Sequence, residues 1–226
     1  MTYLTANLHG CYSEFLELLR QIKFRDNDVM YVLGDVVDYG GEPMELICDL
    51  SMRYNVYAIA GEHDYIAARL LLGFERLLGQ GKTPDATFVE QMNAWAADGG
   101  RPTLDGYRKL DSEMKESVLD YFSDMLLYEN IVVGGREYLL VHAGLGSLAE
   151  GGQPTPDEMF AAPLDWNKKY FESKTVVAGH VPTDQIPGAT PGRIYRTGGC
   201  IALDCGAARG GRVGCLRLED GAEFYV

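Results

Sequence analysis

The most constraining feature of this chain is the alternation of short apolar runs with amphipathic stretches along its first third. The apolar runs TYLTA, VMYVLG and VYAIAG are separated by helical patterns from Ser13 to Ile22 and from Met44 to Met52. This βαβαβ order is typical of a parallel sheet in an α/β protein. Each run ends in a polar loop, NLHG, GDVVDYG and GEHD respectively. Because ligands bind beyond the carboxyl ends of parallel strands, we expect these loops to converge on one site.

The middle and the end of the chain are organised differently. The region at about residues 72–125 has helical patches separated by the loops GQGKTPD and DGGRPTLDG, and it interrupts the strand rhythm. This pattern predicts a mainly helical cap inserted into a single domain that spans residues 1–226. The remainder is β-rich, with the runs IVVGG, REYLLVHAG, TVVAGH, CIALDCG and VGCLRL. The GG between the first two of these runs predicts a hairpin turn.

The charge of the chain narrows the classes of partner. Its 226 residues carry a formal net charge of -13, which disfavours nucleic acid, because nucleic-acid binding depends on basic side chains. The sequence has no apolar run of about 18 residues and no basic leader before a hydrophobic stretch, so we expect a cytoplasmic protein without a membrane partner. Five cysteines without paired spacing favour reduced thiols. The oligomeric state is left open.

The four histidines are the most informative polar residues. His9, His63, His142 and His180 each follow a predicted strand, and the strand-end loops GDVVDYG and GEHD carry carboxylates. A single histidine after a strand is more often structural than a ligand, but four of four in this position favour a metal site. Imidazole suits Mn, Fe, Zn and related ions, and carboxylates can bridge two cations about 3.5–4 Å apart. We therefore expect Asp35, delivered by a buried strand, to bridge two ions.

The ordered motifs NLHG, GDVVDYG, GEHD, VHAG and AGH resemble those of the calcineurin-like metallophosphoesterases, whose pattern runs GDxHG, GDxxDRG, GNHE, HAG or HGG, and GH. The series is most similar to that of bacterial Ser/Thr phosphoprotein phosphatases and symmetrical diadenosine tetraphosphate hydrolases. The late segment IALDCGAARGGRVGCLRLEDG also resembles the family's closing hairpin. The resemblance implies a four-layer α/β/β/α sandwich. It also implies two divalent metal ions, Mn²⁺ first, with Fe, Zn, Ni or Co as alternatives.

The resemblance assigns a role to each matching position. The resemblance implies two sets of metal ligands that share the carboxylate of Asp35. One ion would be bound by Asn7, His9 and Asp35, and the other by Asp35, Glu62, His142 and His180. His63 would be the general acid that protonates the departing oxygen, and Asp38 would orient it. A carboxylate beside an imidazole fixes its tautomer and raises its pKa. The alternatives are a turn cap for Asp38 and a surface position for His63.

Three positions depart from the family pattern. Residue 7 is Asn where the family has Asp, residue 62 is Glu where it has Asn, and residue 39 is Tyr where it has a phosphate-binding Arg. The first two changes leave two negative charges in the ligand set. Because the amide of Asn7 is a weaker ligand than a carboxylate, we expect the ion bound by Asn7, His9 and Asp35 to be the easier to lose. A phenol replaces only part of what a guanidinium offers to phosphate. The candidates for binding the substrate phosphate are Tyr39, Arg69 and Lys168.

Three functions fit these residues. The first is hydrolysis of phosphomonoesters by a Ser/Thr protein phosphatase-like enzyme, with activity weakened by Asn7 and Tyr39. The second is hydrolysis of a dinucleoside polyphosphate or another small phosphoester. The third is a metal-binding relative that recognises a phosphorylated or protein ligand with little or no turnover. The retained Asp38 and His63 argue against the third function, because binding alone needs no proton donor.

Overall fold

The first of two β-sheets contains the strands of the βαβαβ pattern. The computed structural model describes residues 1–226. The strands of this sheet are β1 Thr2–Thr5, β2 Val29–Leu33, β3 Val56–Ile59, β9 Gly214–Arg217 and β10 Glu223–Tyr225. They lie in the order β10-β9-β1-β2-β3. The pairs β1–β2 and β2–β3 are parallel, as the sequence pattern predicts, whereas β9 is antiparallel to β1 and to β10.

Two amphipathic helices connect the parallel strands. They are α1 Tyr12–Ile22 and α2 Pro43–Ser51, so each expected helix is confirmed to within one residue at both ends. The buried side chains of α1 follow the spacing i, i+3, i+4 and i+7, which places one apolar stripe against the sheet; they are Phe15, Leu18, Leu19 and Ile22. Lys23 ends this helix in the left-handed conformation, with φ 52°.

A run of helices separates the two sheets in sequence. It consists of α3 Glu62–Gly79, α4 Ala86–Trp95, α5 Arg101–Tyr107 and α6 Ser112–Asp124. We call residues 62–124 the helical segment. It begins earlier than the expected boundary near residue 72, because β3 passes directly into α3 through Gly61. Asp85 and Asp111 each cap the next helix by accepting a backbone N–H.

The second sheet contains the strands of the β-rich half. They are β4 Glu129–Val133, β5 Arg136–Leu140, β6 Lys174–Ala178, β7 Tyr195–Arg196 and β8 Cys200–Ala202. Their order is β4-β5-β6-β8-β7. Gly134 and Gly135 form the expected hairpin turn between β4 and β5, with φ values of 57° and 76°. The short strands β7 and β10 were not expected, because neither has a long apolar run.

The two sheets pack face to face with helices outside. One buried cluster contains side chains from both sheets, among them Leu4, Leu33, Leu140 and Val177. A second cluster joins the other face of the first sheet to α1, α2 and the helical segment, and a third joins the second sheet to α7 Pro156–Ala161. The expected mixed α/β sandwich is thereby confirmed. Within the described chain, none of the helices is both long and apolar enough to cross a bilayer.

Candidate active site

The polar loops at the strand ends meet at one edge of the sandwich. Asn7 and His9 follow β1, Asp35 and Asp38 follow β2, and the loops after β5 and β6 bring in two more histidines. These loops hold most of the residues other than glycine that have a positive φ, namely Asn7, His9, Asp35, Asp38, Tyr39 and His180. Such conformations cost free energy and are concentrated at functional sites. The strained backbone at these positions indicates that the side chains are held in place for function and not for stability.

Asp35 lies at the centre of this group and is 3% exposed. Its Oδ2 accepts a hydrogen bond from Asn7 Nδ2 at 3.2 Å. The same oxygen lies 3.6 Å from His9 Nε2 and 3.4 Å from His142 Nε2. Its Oδ1 accepts the backbone N–H of His63 at 3.0 Å. One carboxylate is thus shared by two imidazoles, as the bridging role expected for Asp35 requires.

His180 completes a cluster with the geometry of a metal site. Asp35, His142 and His180 each place one possible ligand atom within 4.8 Å of the other two. His142 Nε2 lies 3.2 Å from His180 Nδ1. The backbone N–H of His180 donates to Asn7 Oδ1 at 2.9 Å, which joins the loops of the two sheets. The structure therefore brings together all but one of the six expected metal ligands.

Backbone carbonyl groups orient two of the imidazoles. His9 Nδ1 lies 3.0 Å from the carbonyl oxygen of Val37, and His142 Nδ1 lies 2.9 Å from that of Leu33. A carbonyl can only accept, so Nδ1 carries the proton in each ring and Nε2 is left as the ligand atom. The hydrogen bond that Nδ1 donates to the carbonyl fixes the tautomer of a metal-binding histidine.

Burial and neighbouring charges set the ionisation of these groups. Burial lowers the pKa of His9, and burial together with the charge of His142 lowers the pKa of His180 to about 4. Burial alone would raise the pKa of Asp35, but the charges and hydrogen bond of the histidines lower it below its usual value. Burial lowers the pKa of His142, but the charge and hydrogen bond of Asp35 raise it more. A neutral imidazole and an ionised carboxylate are the forms that bind a cation, so His9, His180 and Asp35 favour that form and His142 would give up a proton to adopt it.

Asp38 and His63 form the expected pair. His63 Nδ1 lies 2.8 Å from Asp38 Oδ2, and Asp38 is fully buried. Burial lowers the pKa of His63, but the hydrogen bond to Asp38 and the charges of Asp35, Asp38 and Asp64 raise it more, to about 9. At neutral pH His63 is therefore protonated, and its Nε2 is the nitrogen left to donate.

Two residues of the helical segment complete the surroundings of Asp38. Trp95 Nε1 donates to Asp38 Oδ2 at 2.8 Å, and Thr103 Oγ1 donates to Asp38 Oδ1 at 2.6 Å. The backbone N–H of Asp38 donates in turn to Thr103 Oγ1 at 3.0 Å. The sequence contained no signal for either residue, because their separation from Asp38 along the chain follows no pattern. The helical segment is therefore part of the site.

Close packing of the loops depends on glycine. A Cβ atom at Gly34 would lie 2.2 Å from His142 Nδ1, and one at Gly179 would lie 2.3 Å from Asn7 Oδ1. Asp64, at the start of α3, adds a further connection, because its carboxylate accepts the backbone N–H groups of Val36, Val37 and Gly61. The strand-end loops are thus held to each other and to α3.

A cavity of about 310 Å³ opens above the cluster. Its lining includes Asn7, His9, Asp35, Tyr39, His63, His180, Asp204 and Arg209. Tyr39 lies at its rim, where the ring contacts His9 and His63 edge-on, with ring centroids 5.1 Å away in each case. The Tyr39 hydroxyl donates to Asp98 of the helical segment at 3.3 Å. Tyr39 thus connects the cavity rim to the helical segment.

The structure does not bring the other three sequence candidates to this cavity. Glu62 is the first residue of α3, and the contact with Asp35 from this turn comes from the backbone N–H of His63. Arg69 lines a different cavity, between α3 and α6. Lys168 Nζ lies 4.9 Å from the centre of the Tyr170 ring. Lys168 and Arg69 are both exposed and lie away from the cavity that contains the metal-binding cluster.

Arg209 lines the cavity although no sequence motif pointed to it. It lies in a short 3-10 turn, Ala207–Arg209, on the loop that follows β8. Strand pairing brings it there: β6 and β8 are parallel neighbours, so the loop after CIA ends beside the loop that carries His180. Asp204, at the start of the same loop, is buried in the cavity wall, and burial raises its pKa to about 6.

Known proteins resemble this chain in sequence. A family model described as calcineurin-like phosphoesterase matches residues 3–204. An asymmetrical bis(5'-nucleosyl)-tetraphosphatase, PrpE, from Geobacillus sp. (strain WCH70) is 26% identical over 95% of this chain and 89% of the relative. A symmetrical bis(5'-nucleosyl)-tetraphosphatase from Buchnera aphidicola subsp. Acyrthosiphon pisum (strain Tuc7) is 37% identical over 28% of this chain and 24% of the relative.

Solved structures resemble it in fold. A putative diadenosine tetraphosphatase has a TM-score of 0.63 at 18% identity, with 100% of this chain and 92% of that chain covered. A protein serine/threonine phosphatase from Saccharomyces cerevisiae has a TM-score of 0.59 at 14% identity, with 100% and 78% covered. At these identities the likeness concerns the fold. The family match in sequence extends from β1 past β8 and includes all four histidine-bearing loops, so the chain belongs to the calcineurin-like phosphoesterase family.

Proposed function

We propose that this protein is a metal-dependent phosphoesterase whose substrate is a dinucleoside polyphosphate. The observation that carries the hydrolytic part is the meeting of two groups within one cavity. One is the cluster of Asp35 with His9, His142 and His180, and the other is the protonated His63 held by Asp38. The choice of substrate is supported by the tetraphosphatase relative that matches along 95% of the chain.

The donor set fits divalent metal ions unevenly. Asp35, His142 and His180 would hold one ion with a carboxylate oxygen and imidazole nitrogens, which suit Mn²⁺ and related ions. The second ion would depend on His9, Asp35 and Asn7, but Asn7 presents its amide nitrogen to Asp35. If the side-chain amide of Asn7 faced the other way, its nitrogen would point at the backbone N–H of His180. The hydrogen bond from that N–H to Asn7 Oδ1 would then be lost. The ion near His9 is therefore proposed to bind more weakly.

Bound divalent ions would polarise the phosphoryl group and acidify a water, which is the chemistry that such paired sites supply. The chain's own residues supply the proton and the positioning. His63 donates from Nε2 to the leaving oxygen, while Asp38 holds Nδ1 and keeps the ring oriented. Arg209, at the cavity, offers donors to the phosphate oxygens, and the Tyr39 hydroxyl would do so only by giving up its hydrogen bond to Asp98.

The helical segment is proposed to act as a cap on a single domain that spans residues 1–226. Trp95 and Thr103 contact Asp38, and Asp98 contacts Tyr39, so the segment touches both the proton donor's partner and the cavity rim. Changes in this segment are therefore expected to alter substrate choice as well as stability.

The test is turnover with added Mn²⁺, with diadenosine tetraphosphate, a phosphoserine peptide and p-nitrophenyl phosphate compared. His63→Ala should lower kcat by roughly 10²–10⁴-fold with the peptide, the range typical of general acids. The loss should be smaller with p-nitrophenyl phosphate, because its leaving group departs readily without a proton. Arg69→Gln, in a different cavity, is the matched control and should retain activity. An equal loss for both substrates would contradict the role of His63.

A second candidate, binding without turnover, is favoured by the orientation of the Asn7 amide and by the tyrosine at position 39. It predicts metal in the purified protein and no hydrolysis of any of the three substrates, both for the native chain and for Asn7→Asp. Preference for the phosphoserine peptide over diadenosine tetraphosphate would instead support the phosphoprotein phosphatase that the sequence first suggests.

A further inference from the structure

A second cavity adjoins the one that holds the metal-binding cluster. Its volume is about 350 Å³. The two cavities share three wall residues, Pro182, Gly206 and Arg209. Arg193 and Arg212 line only the second cavity. Arg209 therefore stands at the boundary, with the cluster on one side and two more arginines on the other.

The charge of this cavity is opposite to that of the chain. Arg193, Arg209 and Arg212 are exposed, in a protein whose formal net charge is -13. Among the described residues, none of these three guanidinium groups forms an ion pair, whereas four other arginines do, namely Arg20, Arg53, Arg196 and Arg217. The one acidic side chain in the lining of the second cavity is that of Asp184. Guanidinium groups without an acidic partner, grouped around one cavity, attract anions to that cavity.

The backbone around the three arginines is well connected. The backbone N–H of Arg212 donates to the carbonyl oxygen of Cys205 at 3.1 Å, and that of Gly211 donates to Gly206 at 2.9 Å. The Arg193 guanidinium lies 4.6 Å above the centre of the Tyr225 ring. Cation–aromatic contacts of this kind restrict a long side chain without using its hydrogen-bond donors. The Arg193 guanidinium is thus restrained while its donors remain available, and the backbone that carries Arg212 is held by hydrogen bonds.

We infer that this arginine-lined cavity binds the phosphates next to the one being cleaved, so that the site selects linear oligophosphates over simple monoesters. The inference rests on the proposed function and extends it to the choice of substrate. A guanidinium binds phosphate oxygens through two parallel hydrogen bonds, so each arginine can hold one phosphate group. A chain of phosphates with its scissile group at Asp35 would pass Arg209 and reach Arg193 and Arg212. A monoester would fill the first cavity only.

The experiment compares kcat/KM for diadenosine tetraphosphate with that for p-nitrophenyl phosphate at low ionic strength, in Mn²⁺. Arg193→Gln/Arg212→Gln should lower the ratio at least about tenfold, because charge-assisted bonds to phosphate are strong even after some screening by solvent. The matched control is Arg20→Gln/Arg108→Gln, which removes the same charge from positions outside both cavities. It should leave the ratio unchanged.

A binding measurement separates this inference from the proposed function. Calorimetry with the chelated protein should show that tripolyphosphate and diadenosine tetraphosphate bind, and that the first double variant binds both at least about tenfold more weakly. Failure of the native chain to hydrolyse any substrate would remove the proposed function, while the calorimetry still decides whether the cavity is an oligophosphate site.

Three results would overturn the inference. One is an unchanged ratio and unchanged calorimetry in the first double variant. Another is an equal loss in both double variants, which would mean that net charge alone attracts the substrate. The third is a matching loss for a phosphoserine peptide, which would assign the cavity to an acidic protein partner. If Arg193→Gln/Arg212→Gln does not fold, Arg212→Gln alone is tested. The kcat/KM ratio and the calorimetric affinity should then fall in the same direction, with about half the effect in free energy.

Discussion

Replacing Thr103 with valine tests how strongly the helical segment supports the proton donor. Valine has nearly the shape of threonine but lacks the hydroxyl that donates to Asp38 Oδ1 at 2.6 Å and accepts the Asp38 backbone N–H at 3.0 Å. Thr103 and Asp38 are both fully buried. The lost bond to the carboxylate costs about 1.5–3 kcal/mol, and the unpaired N–H adds about 1–3 kcal/mol. We expect a total destabilisation of about 2.5–6 kcal/mol.

The assay is thermal unfolding of the chelated protein, so that metal binding does not add to stability. For a chain of this size, 1 kcal/mol corresponds to roughly 2–4 °C, so Thr103→Val should lower the Tm by about 5–24 °C. Thr103→Ser retains the hydroxyl and loses one methyl group, so it should cost about 1 kcal/mol. In Mn²⁺, the valine variant should also lose more in kcat than in KM, because Asp38 orients His63. A Tm within 2 °C or so of the serine variant would refute this reasoning.

Two further predictions concern the loops that carry the cluster. Asn7→Asp places a second carboxylate against Asp35, so it should lower the Tm in chelator by the equivalent of about 1–2 kcal/mol. The same variant should bind Mn²⁺ more tightly than the native chain, and a titration that shows no gain would contradict the weak site near His9. Gly34→Ala should destabilise the protein by more than about 3 kcal/mol, because its Cβ would meet His142. The control is Gly81→Ala, because Gly81 also has a positive φ but a Cβ there would meet no other atom. We expect a loss of about 1 kcal/mol of stability in this control. Equal losses in the two variants would show that backbone strain alone is responsible.

The order of elements could be predicted from the sequence because local patterns determine it. Apolar runs of strand length and the 3.6-residue spacing of α1 depend on near neighbours in the chain. The same applies to Asn7, His9, Asp35, His142 and His180, since each follows a strand, and strand ends of an α/β sheet meet at one edge. Within each sheet the meeting of these loops follows from the order of strands, whereas the approach of His142 and His180 to Asp35 depends on how the two sheets pack face to face.

The remaining features were decided by packing between distant parts of the chain. The distances of Trp95 and Thr103 from Asp38 depend on how the helical segment folds back, and local spacing does not encode that path. Arg209 reaches the cavity because β8 pairs beside β6, whereas Arg69 is carried along α3 to a different cavity. Hydrogen bonds and charges act over a few ångströms in space, so which cation or donor serves the site was determined by the tertiary structure. The residue types able to form the metal cluster were determined by the sequence.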